Sequence, residues 1–245
     1  MQNEIKECPI LFSAPMVRAI LEGQKTMTRR VAKPQPKMVT GSGKRVYESA
    51  DFKKSWEDIS GTGEGSGYSD CPYGKPGDRL VVKETSYAYG RWIKQFSATK
   101  NRDEWFFQDM TTLEGKAYKY ADSPPENVEQ KRVENAVGWH KRPSLFMPYY
   151  ASRITLEITD VRVERLRDIS EADAIAEGVE SWVEDRMKSR PTHYKIYYQT
   201  NPKDPDFYSS TAKVSFETLW QSINGPESWE QNPFVWVIEF KRIAP

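Results

Sequence analysis

Strand-like segments in this chain are short and stand far apart, and this spacing constrains the fold more than any other feature. Ile154, Leu156 and Ile158 alternate with polar residues, which is the pattern of a strand with one buried face. Residues 234–240 are almost continuously apolar, as in a strand buried on both faces. Strands joined by long irregular segments favour a small β-barrel over a doubly wound sheet, so the expected fold class is α+β.

Capping residues predict where the short helices begin and end. Ser13 is a suitable N-cap for a helix that ends at Gly23. Ser170 begins a second helix with a pattern that resembles a capping box, and Gly178 ends it. The other predicted elements are strands at 9–12 and 79–83 and a last helix at about 214–223.

The segment 153–166 carries a change of phase. Its apolar positions continue regularly to Ile158 and then slip by one residue to Val161. A strand has a side-chain period of two, so a slip of one residue would reverse its faces. We therefore expect a strand pair with a β-bulge or bend at Thr159 and Asp160.

Charge is distributed unevenly along a chain that is nearly neutral. The formal net charge is +1, so the total charge does not favour a nucleic-acid partner. The stretch from Gly23 to Tyr47 nevertheless has no Asp or Glu and seven basic residues: Lys25, Arg29, Arg30, Lys33, Lys37, Lys44 and Arg45. Such a cluster attracts phosphate backbones, and a solvated loop without a partner is an equally good interpretation.

The sequence has none of the marks of a secreted or membrane protein. Its two cysteines, Cys8 and Cys71, lie far apart and imply no disulfide framework, which fits a reducing compartment. The N-terminal residues contain no apolar signal region, and no window approaches the length of a membrane span. We expect a cytoplasmic protein without a membrane partner.

Aromatic residues crowd the segment 87–107. They are Tyr87, Tyr89, Trp92, Phe96, Trp105, Phe106 and Phe107. Aromatic faces can stack on unpaired bases, but they also pack against their own protein. We expect most of them to pack, with one or two left as stacking candidates.

Motifs for cofactors are weak. Residues 41–44 resemble the end of a phosphate loop, but Arg45 stands where Ser or Thr is required. The soft metal ligands are not paired at ligand spacing: Cys8, Cys71, His140 and His193. Neither a metal nor an organic cofactor is expected.

Lys25 and Thr28 lie three residues apart, just after the first predicted helix. A Thr hydroxyl is a weak nucleophile, which a desolvated Lys can activate as a base. In the alternative, Lys25 contacts a phosphate and Thr28 caps a turn. The residues alone favour the alternative.

Residues 23–30, Gly-Gln-Lys-Thr-Met-Thr-Arg-Arg, resemble the G-x-K-x-x-T-x-R signature of ASCH domains. Residues 76–80, 169–178 and 235–240 resemble the family's Gly-Asp turn, central helix and closing strand, in the family's order. The whole chain is also similar to uncharacterised ASCH proteins of phages and prophages.

The resemblance implies a PUA-like fold, which is a small bent β-barrel with short helices and, in this chain, long insertions. A single domain would then span residues 1–245. Its core segments would be about 9–31, 76–86, 150–180 and 232–243, and its insertions would be about 33–75, 87–149 and 183–213.

The resemblance also implies a cleft near the signature that meets RNA or a nucleoside. Some small bacterial members are amidohydrolases that remove the acetyl group from N4-acetylcytidine. Their catalytic Lys, Thr and Glu fall on Lys25, Thr28 and Glu177, with Glu171 and Glu180 as nearby alternatives to the last. In the hypothetical mechanism, neutral Lys25 takes the proton of Thr28, and Thr28 attacks the acyl carbonyl. Glu177 protonates the leaving amine and then activates water to release the acyl group from Thr28.

Other ASCH members imply other functions. In a non-catalytic RNA-binding module, phosphates would be held by Lys25, Arg29, Arg30, Lys33 and Arg153. A ribonuclease would use Lys and Arg residues to stabilise charge that develops on a phosphate, and a phage accessory protein would need no chemistry. The sequence leaves the substrate and the oligomeric state open.

Overall fold

The computed structural model describes residues 4–33, 35, 37–40, 45–48, 71–183, 192–197 and 208–243. Strands predominate in these ranges, and three short helices accompany them: α1 (Ala14–Leu21), α2 (Glu171–Ala176) and α3 (Ala212–Asn224). The strands are β1 (Glu7–Leu11), β2 (Met27–Val31), β3 (Lys37–Thr40), β4 (Arg45–Glu48), β5 (Arg79–Lys83), β6 (Ser86–Ser97), β7 (Arg102–Asp109), β8 (Lys119–Tyr120), β9 (Val137–Arg142), β10 (Thr155–Arg165), β11 (Ser181–Val183), β12 (Thr192–Lys195), β13 (Tyr208–Ser209) and β14 (Phe234–Ile243). The protein is therefore α+β, as the sequence predicts.

The strands of the described ranges form several open sheets and no closed barrel. The largest sheet has five strands in the order β1-β5-β10-β14-β2. In a second sheet, β6 is central and pairs antiparallel with β7, β8 and β9. The smaller sheets are β11-β12-β13 and the β3-β4 pair.

The chain divides into two compact units, and each is made of separate stretches of sequence. The first contains Met1–Cys8, Ala19–Leu80 and Leu156–Ile243, and the second contains Pro9–Arg18, Val81–Thr155 and Ala244–Pro245. The single domain over residues 1–245 stays a prediction. Much of the predicted insertion 33–75 and part of 183–213 lie outside the described residues.

Helices α2 and α3 pack onto strands β2 and β14 in the core of the first unit. The buried residues of this core are Met27, Leu166, Ile169, Ala174, Val179, Ala212, Phe216, Trp220, Trp229, Val235 and Val237. Phe216 is central among its aromatic rings, with ring centroids 6.1 Å from Trp220 and 6.3 Å from Trp229. Burial of this apolar surface is the main force that holds α2 and α3 in place.

The second unit contains the sheet around β6, in the segment 87–149 that the sequence marks only as an insertion. Every second residue of β6 is buried from Ser86 to Trp92, so one face of the strand packs inward. Ala88 belongs to a small core with Tyr118, Met147 and Ala151. The weak sequence periodicity arises because both faces of the sheet carry aromatic residues.

Strand β10 is one continuous strand, so the predicted strand pair at 153–166 is wrong. The predicted change of phase is confirmed. Leu156 and Ile158 are buried, and the next buried position is Val161 rather than Asp160. Beyond this point, polar residues occupy the positions that face the ion-pair cluster described below.

The predicted start and end of α2 are confirmed. Ser170 is the N-cap, and its side chain accepts a hydrogen bond of 3.1 Å from the backbone N–H of Asp173. Gly178 follows the helix with φ of +79°. Within the described ranges, none of the helices has the length and apolar character that a membrane crossing requires.

Gly178 is required for a close approach as well as for its positive φ. A Cβ atom at this position would lie 2.8 Å from Lys25 Cβ and 3.1 Å from Ala19 Cβ. Gly23 has a similar φ of +75°, but a Cβ there would meet nothing within 4 Å. A comparison of Gly178 with Gly23 therefore separates the cost of a positive φ from the cost of a steric clash.

We expect Gly178→Ala to destabilise the protein more than Gly23→Ala. Both changes incur about 1 kcal/mol for an L-residue at positive φ. Gly178→Ala adds roughly 1–3 kcal/mol because packed neighbours must shift. Urea denaturation measures both variants, and equal losses would contradict the close approach of Gly178 to Lys25.

Candidate active site

Backbone hydrogen bonds bring the turn after α1 to the end of α2. The N–H groups of Gln24 and Lys25 both donate to the carbonyl of Ala19, over 2.8 and 3.0 Å. The N–H of Thr26 donates to the carbonyl of Ala176 over 2.9 Å. The residue after Ala176 therefore lies beside Lys25, although 152 positions separate the two in sequence.

Lys25 and Glu177 form a buried ion pair. The Nζ atom of Lys25 donates to Glu177 Oε2 over 2.8 Å and to the Glu177 carbonyl oxygen over 2.7 Å. The exposed fraction is 0% for the Lys25 side chain and 4% for that of Glu177. Two of the three residues that the resemblance implies as catalytic thus come together.

Arg29 extends this pair into a network of charges. Its Nη2 atom donates to Asp173 over 2.7 Å and to Glu164 over 3.1 Å, and its Nη1 atom lies 3.5 Å from Glu177 Oε1. The Arg29 side chain is fully buried. Its charge is therefore balanced by three carboxylates rather than directed at solvent.

The network reaches the surface through Arg162. Its guanidinium donates to Glu164, Asp160 and Glu239, and it lies 3.5 Å from Asp173. We call these five residues the rim, and their exposed fractions run from 23% for Asp173 to 40% for Asp160. Carboxylates outnumber the one guanidinium in the rim, so this surface disfavours a polyanion.

Two buried polar atoms of the cluster have no hydrogen-bond partner among the described residues. They are Oε1 of Glu177, an acceptor, and Nε of Arg29, a donor. Buried polar atoms in native proteins are nearly always paired with protein or water. Each of these two atoms therefore has hydrogen-bonding capacity left for a small polar molecule such as a water.

Burial lowers the pKa of the Lys25 ammonium from its usual value of 10.5. The Glu177 carboxylate acts in the opposite direction, and the positive charges of Arg30 and Arg29 lower the pKa further. A lysine with a lowered pKa exchanges its proton more readily near neutral pH, which suits acid–base catalysis.

The lowered pKa predicts a pH dependence of stability. The unfolded chain binds more protons than the folded one between the folded pKa of Lys25 and 10.5, so the free energy of unfolding rises with pH in this window. We expect the stability of the wild type, relative to Lys25→Met, to rise as pH approaches 10.5. Urea denaturation over a pH series measures this difference, with Lys33→Met as the exposed control. A flat difference would contradict a lowered pKa.

Thr28 is buried but lies apart from this network. Neighbouring side chains of a strand point to opposite faces, so Thr28 faces away from Met27 and Arg29 in β2. Its cross-strand partner is the buried Ile238, while Arg29 pairs with Val237. No hydrogen bond donated by the Thr28 hydroxyl is observed among the described residues, so its role as nucleophile stays a prediction.

The predicted phosphate-binding residues differ in burial and in their partners. Arg29 is buried among carboxylates, whereas Lys33 is exposed and Arg30 is partly exposed. Arg153 belongs to the second unit, where it donates to Glu84 over 2.9 and 3.0 Å and to Asp122 over 2.8 Å. The side chains of Lys37, Lys44 and Arg45 lie outside the described residues.

Sequence reasoning missed the rim. Asp160, Arg162 and Glu164 alternate along β10 after the change of phase, which places their side chains on one face of the strand. This alternation of charge was a detectable signal. Glu239 gave no such signal in the sequence, because it is a single acidic residue in an apolar strand.

Comparisons with protein-family models, with curated proteins and with solved structures return no match to this chain. The resemblance to ASCH domains therefore depends on its signature and the ordered segments that accompany it. The geometry of the Lys25–Glu177 cluster is the structural feature that indicates a function.

Proposed function

We propose that this chain is an ASCH-type protein with a PUA-like core, and that it hydrolyses the N4-acyl amide of an acetylated cytidine. The observation that carries the proposal is the buried Lys25–Glu177 ion pair, with its distance of 2.8 Å and the lowered pKa of Lys25. Amide hydrolysis needs one group that removes a proton from the nucleophile and one that protonates the leaving amine. Lys25 and Glu177 can supply both.

A water molecule is the nucleophile that this geometry favours. Glu177 Oε1 accepts a proton from the water, whose oxygen attacks the acyl carbon and forms a tetrahedral intermediate. The buried Arg29 Nε–H has no partner among the described residues and can stabilise the oxyanion. The Lys25 ammonium protonates the leaving amine as the C–N bond breaks, and Glu177 returns its proton to Lys25. Cytidine and acetic acid are the products, and the acid releases its proton to solvent as acetate.

The charge of the rim supports a nucleoside over a polymer. Asp160, Glu164, Asp173 and Glu239 surround one arginine at the exposed end of the network. A phosphate backbone at this surface would be repelled, whereas an uncharged nucleoside would not. We therefore propose free N4-acetylcytidine as the preferred substrate over the same base within RNA.

Thr28→Val tests the choice of nucleophile. Because Thr28 faces away from Arg29, we expect the variant to retain turnover within about threefold of the wild type. We also expect intact-protein mass spectrometry during turnover to find no acetylated wild-type enzyme. A loss of turnover above roughly a hundredfold, together with an acetylated wild type, would make Thr28 the nucleophile instead.

Incubation with N4-acetylcytidine, free and within RNA, tests the proposed activity by chromatography. Cytidine released from the free nucleoside supports the amidohydrolase. RNA that is bound but left intact, with no cytidine released from either substrate, would make the protein an RNA-binding module. Shortened RNA would indicate a ribonuclease, and no binding or turnover would favour an accessory protein without chemistry.

A further inference from the structure

One face of the sheet in the second unit carries a row of aromatic and basic side chains. Directly opposed residues of antiparallel strands share a face, and so do alternate residues of one strand. The relevant register pairs are Trp92–Phe107, Ala88–His140 and Ser86–Arg142. Trp92, Phe107, His140 and Arg142 therefore share one face of the β6 sheet.

This face forms the floor of a cavity of about 880 Å³. Trp92, Phe107 and His140 line its floor, and Arg132 and Phe146 are among the other residues that line it. Ligand pockets of small molecules are commonly of this size and are rich in aromatic side chains. The cavity can therefore hold a planar ring together with a substituent.

Two arginines of the cavity stack on aromatic rings. The Arg132 guanidinium lies 4.4 Å from the centre of the Trp92 ring. The Arg142 guanidinium lies 4.4 Å from the Phe107 ring and 4.9 Å from that of Trp92. Within the part of the chain that the structure describes, neither arginine forms an ion pair with a carboxylate. They differ in this respect from Arg29 and Arg162, whose charges are balanced.

The charged side chains that line the cavity favour an anionic ligand. Lys131, Arg132, Lys141 and Arg142 line it, and Glu129 is the acidic residue among its lining. An aromatic pocket for a cationic ligand would instead exclude positive side chains. Guanidinium groups bind phosphate through paired hydrogen bonds, so a phosphate is the anion that suits Arg132 and Arg142.

His140 adds a polar atom to the cavity. The residue is 3% exposed, and its Nε2 atom has no hydrogen-bond partner among the described residues. Burial lowers the pKa of His140, which keeps the imidazole neutral near pH 7. A neutral imidazole can donate to or accept from the edge of a base. The site therefore combines aromatic rings, a polar atom and two arginines that form no ion pair within the described residues.

We infer that this cavity of the second unit is a nucleotide-binding site. In the complex, the base replaces the guanidinium groups on the Trp92 and Phe107 rings, and His140 contacts its edge. The displaced Arg132 and Arg142 side chains bind the phosphate. The ligand is a nucleotide in chemical terms, whether free or part of a single strand. The inference does not depend on the hydrolysis proposed for the first unit.

Isothermal titration calorimetry with adenosine 5′-monophosphate tests this site, and the adenine base keeps the test separate from the cytidine chemistry of Lys25 and Glu177. The proteins are the wild type, the Arg132→Gln/Arg142→Gln double variant and Arg91→Gln. Arg91 precedes Trp92 in β6, donates a hydrogen bond to Gln108 and is not among the residues that line the cavity, so its variant loses a charge from the same sheet without changing the cavity lining. Circular dichroism and thermal unfolding confirm that all three proteins fold.

We expect the nucleotide to bind to the wild type and to Arg91→Gln alike, and to bind at least about tenfold more weakly to the double variant. Adenosine and inorganic phosphate alone should each bind more weakly than the nucleotide. Affinity that rises with the length of an oligoadenylate would identify a single strand as the ligand, and equal affinity would identify a free nucleotide. Absence of binding, or unchanged affinity in the double variant, would overturn the inference.

Discussion

Glu177→Leu is expected to reduce the free energy of unfolding by about 3–5 kcal/mol, because it leaves the charge of a buried partner uncompensated. Lys25 would lose its carboxylate partner at 2.8 Å, and Arg29 would lose a neighbouring charge at 3.5 Å. Leucine is apolar and has no group that could replace either contact. The cost therefore comes from the buried charges and not from lost volume.

A double variant separates this explanation from simple loss of packing. Lys25→Met/Glu177→Leu removes both charges, and well-packed apolar residues often replace a buried ion pair at little cost. We expect the double variant to be more stable than Glu177→Leu alone. Glu180→Gln is the matched control, because Glu180 pairs with Lys195 at the same distance of 2.8 Å but is 48% exposed.

Urea denaturation of the wild type, Lys25→Met, Glu177→Leu and the double variant gives the coupling energy between Lys25 and Glu177, and Glu180→Gln is measured beside them. The exposed control should lose no more than about 1 kcal/mol. If Glu177→Leu lost as little as Glu180→Gln, the two side chains would not form the buried ion pair. If the double variant were no more stable than Glu177→Leu, packing rather than charge would explain the loss.

Lys25→Met is expected to lower the turnover of N4-acetylcytidine by about 10²–10⁴-fold, which is the usual contribution of a proton-transfer group. Methionine fills a similar volume but cannot protonate the leaving amine. Lys33→Met is the control, because Lys33 belongs to the same basic segment and is exposed. The loss should fall on the maximal rate rather than on the Michaelis constant, since the proton is needed only in the transition state.

Circular dichroism and urea denaturation of Lys25→Met show whether a loss of turnover comes from the missing amine or from unfolding. A folded variant without turnover supports a catalytic role. A folded variant with wild-type turnover would restrict Lys25 to a structural role in the buried pair.

Capping and terminating residues made the short helices predictable from the sequence. Ser170 and Gly178 mark the ends of α2 through side-chain capping and positive φ, which depend only on neighbouring residues. The order of the five-stranded sheet was not predictable. Its neighbours β2 and β14 lie at opposite ends of the chain, and no local signal encodes such a pairing.

Some residues of the candidate site were likewise predictable from the sequence, and others were not. The resemblance to ASCH domains named Lys25 through the signature and Glu177 through the central helix, and the structure places the two residues in contact. It also named Thr28, which lies three residues after Lys25. Thr28 and Arg29 are neighbours in β2, so their side chains point to opposite faces of the strand, and the spacing alone did not indicate this. The bonds from Arg29 to Glu164 and Asp173 depend on the packing of β10 and α2 beside β2, so they follow only from the tertiary structure.

The turnover of free N4-acetylcytidine by the purified wild type, measured at low and high salt, tests the central claim most directly. A reaction between an uncharged nucleoside and a buried pair should be screened little by salt, whereas phosphate binding weakens steeply as salt increases. The proposal predicts cytidine and acetate in equal amounts, at a rate that changes by less than about twofold between low and high salt. A folded wild type that releases no cytidine, but binds RNA with steep salt dependence, would contradict it.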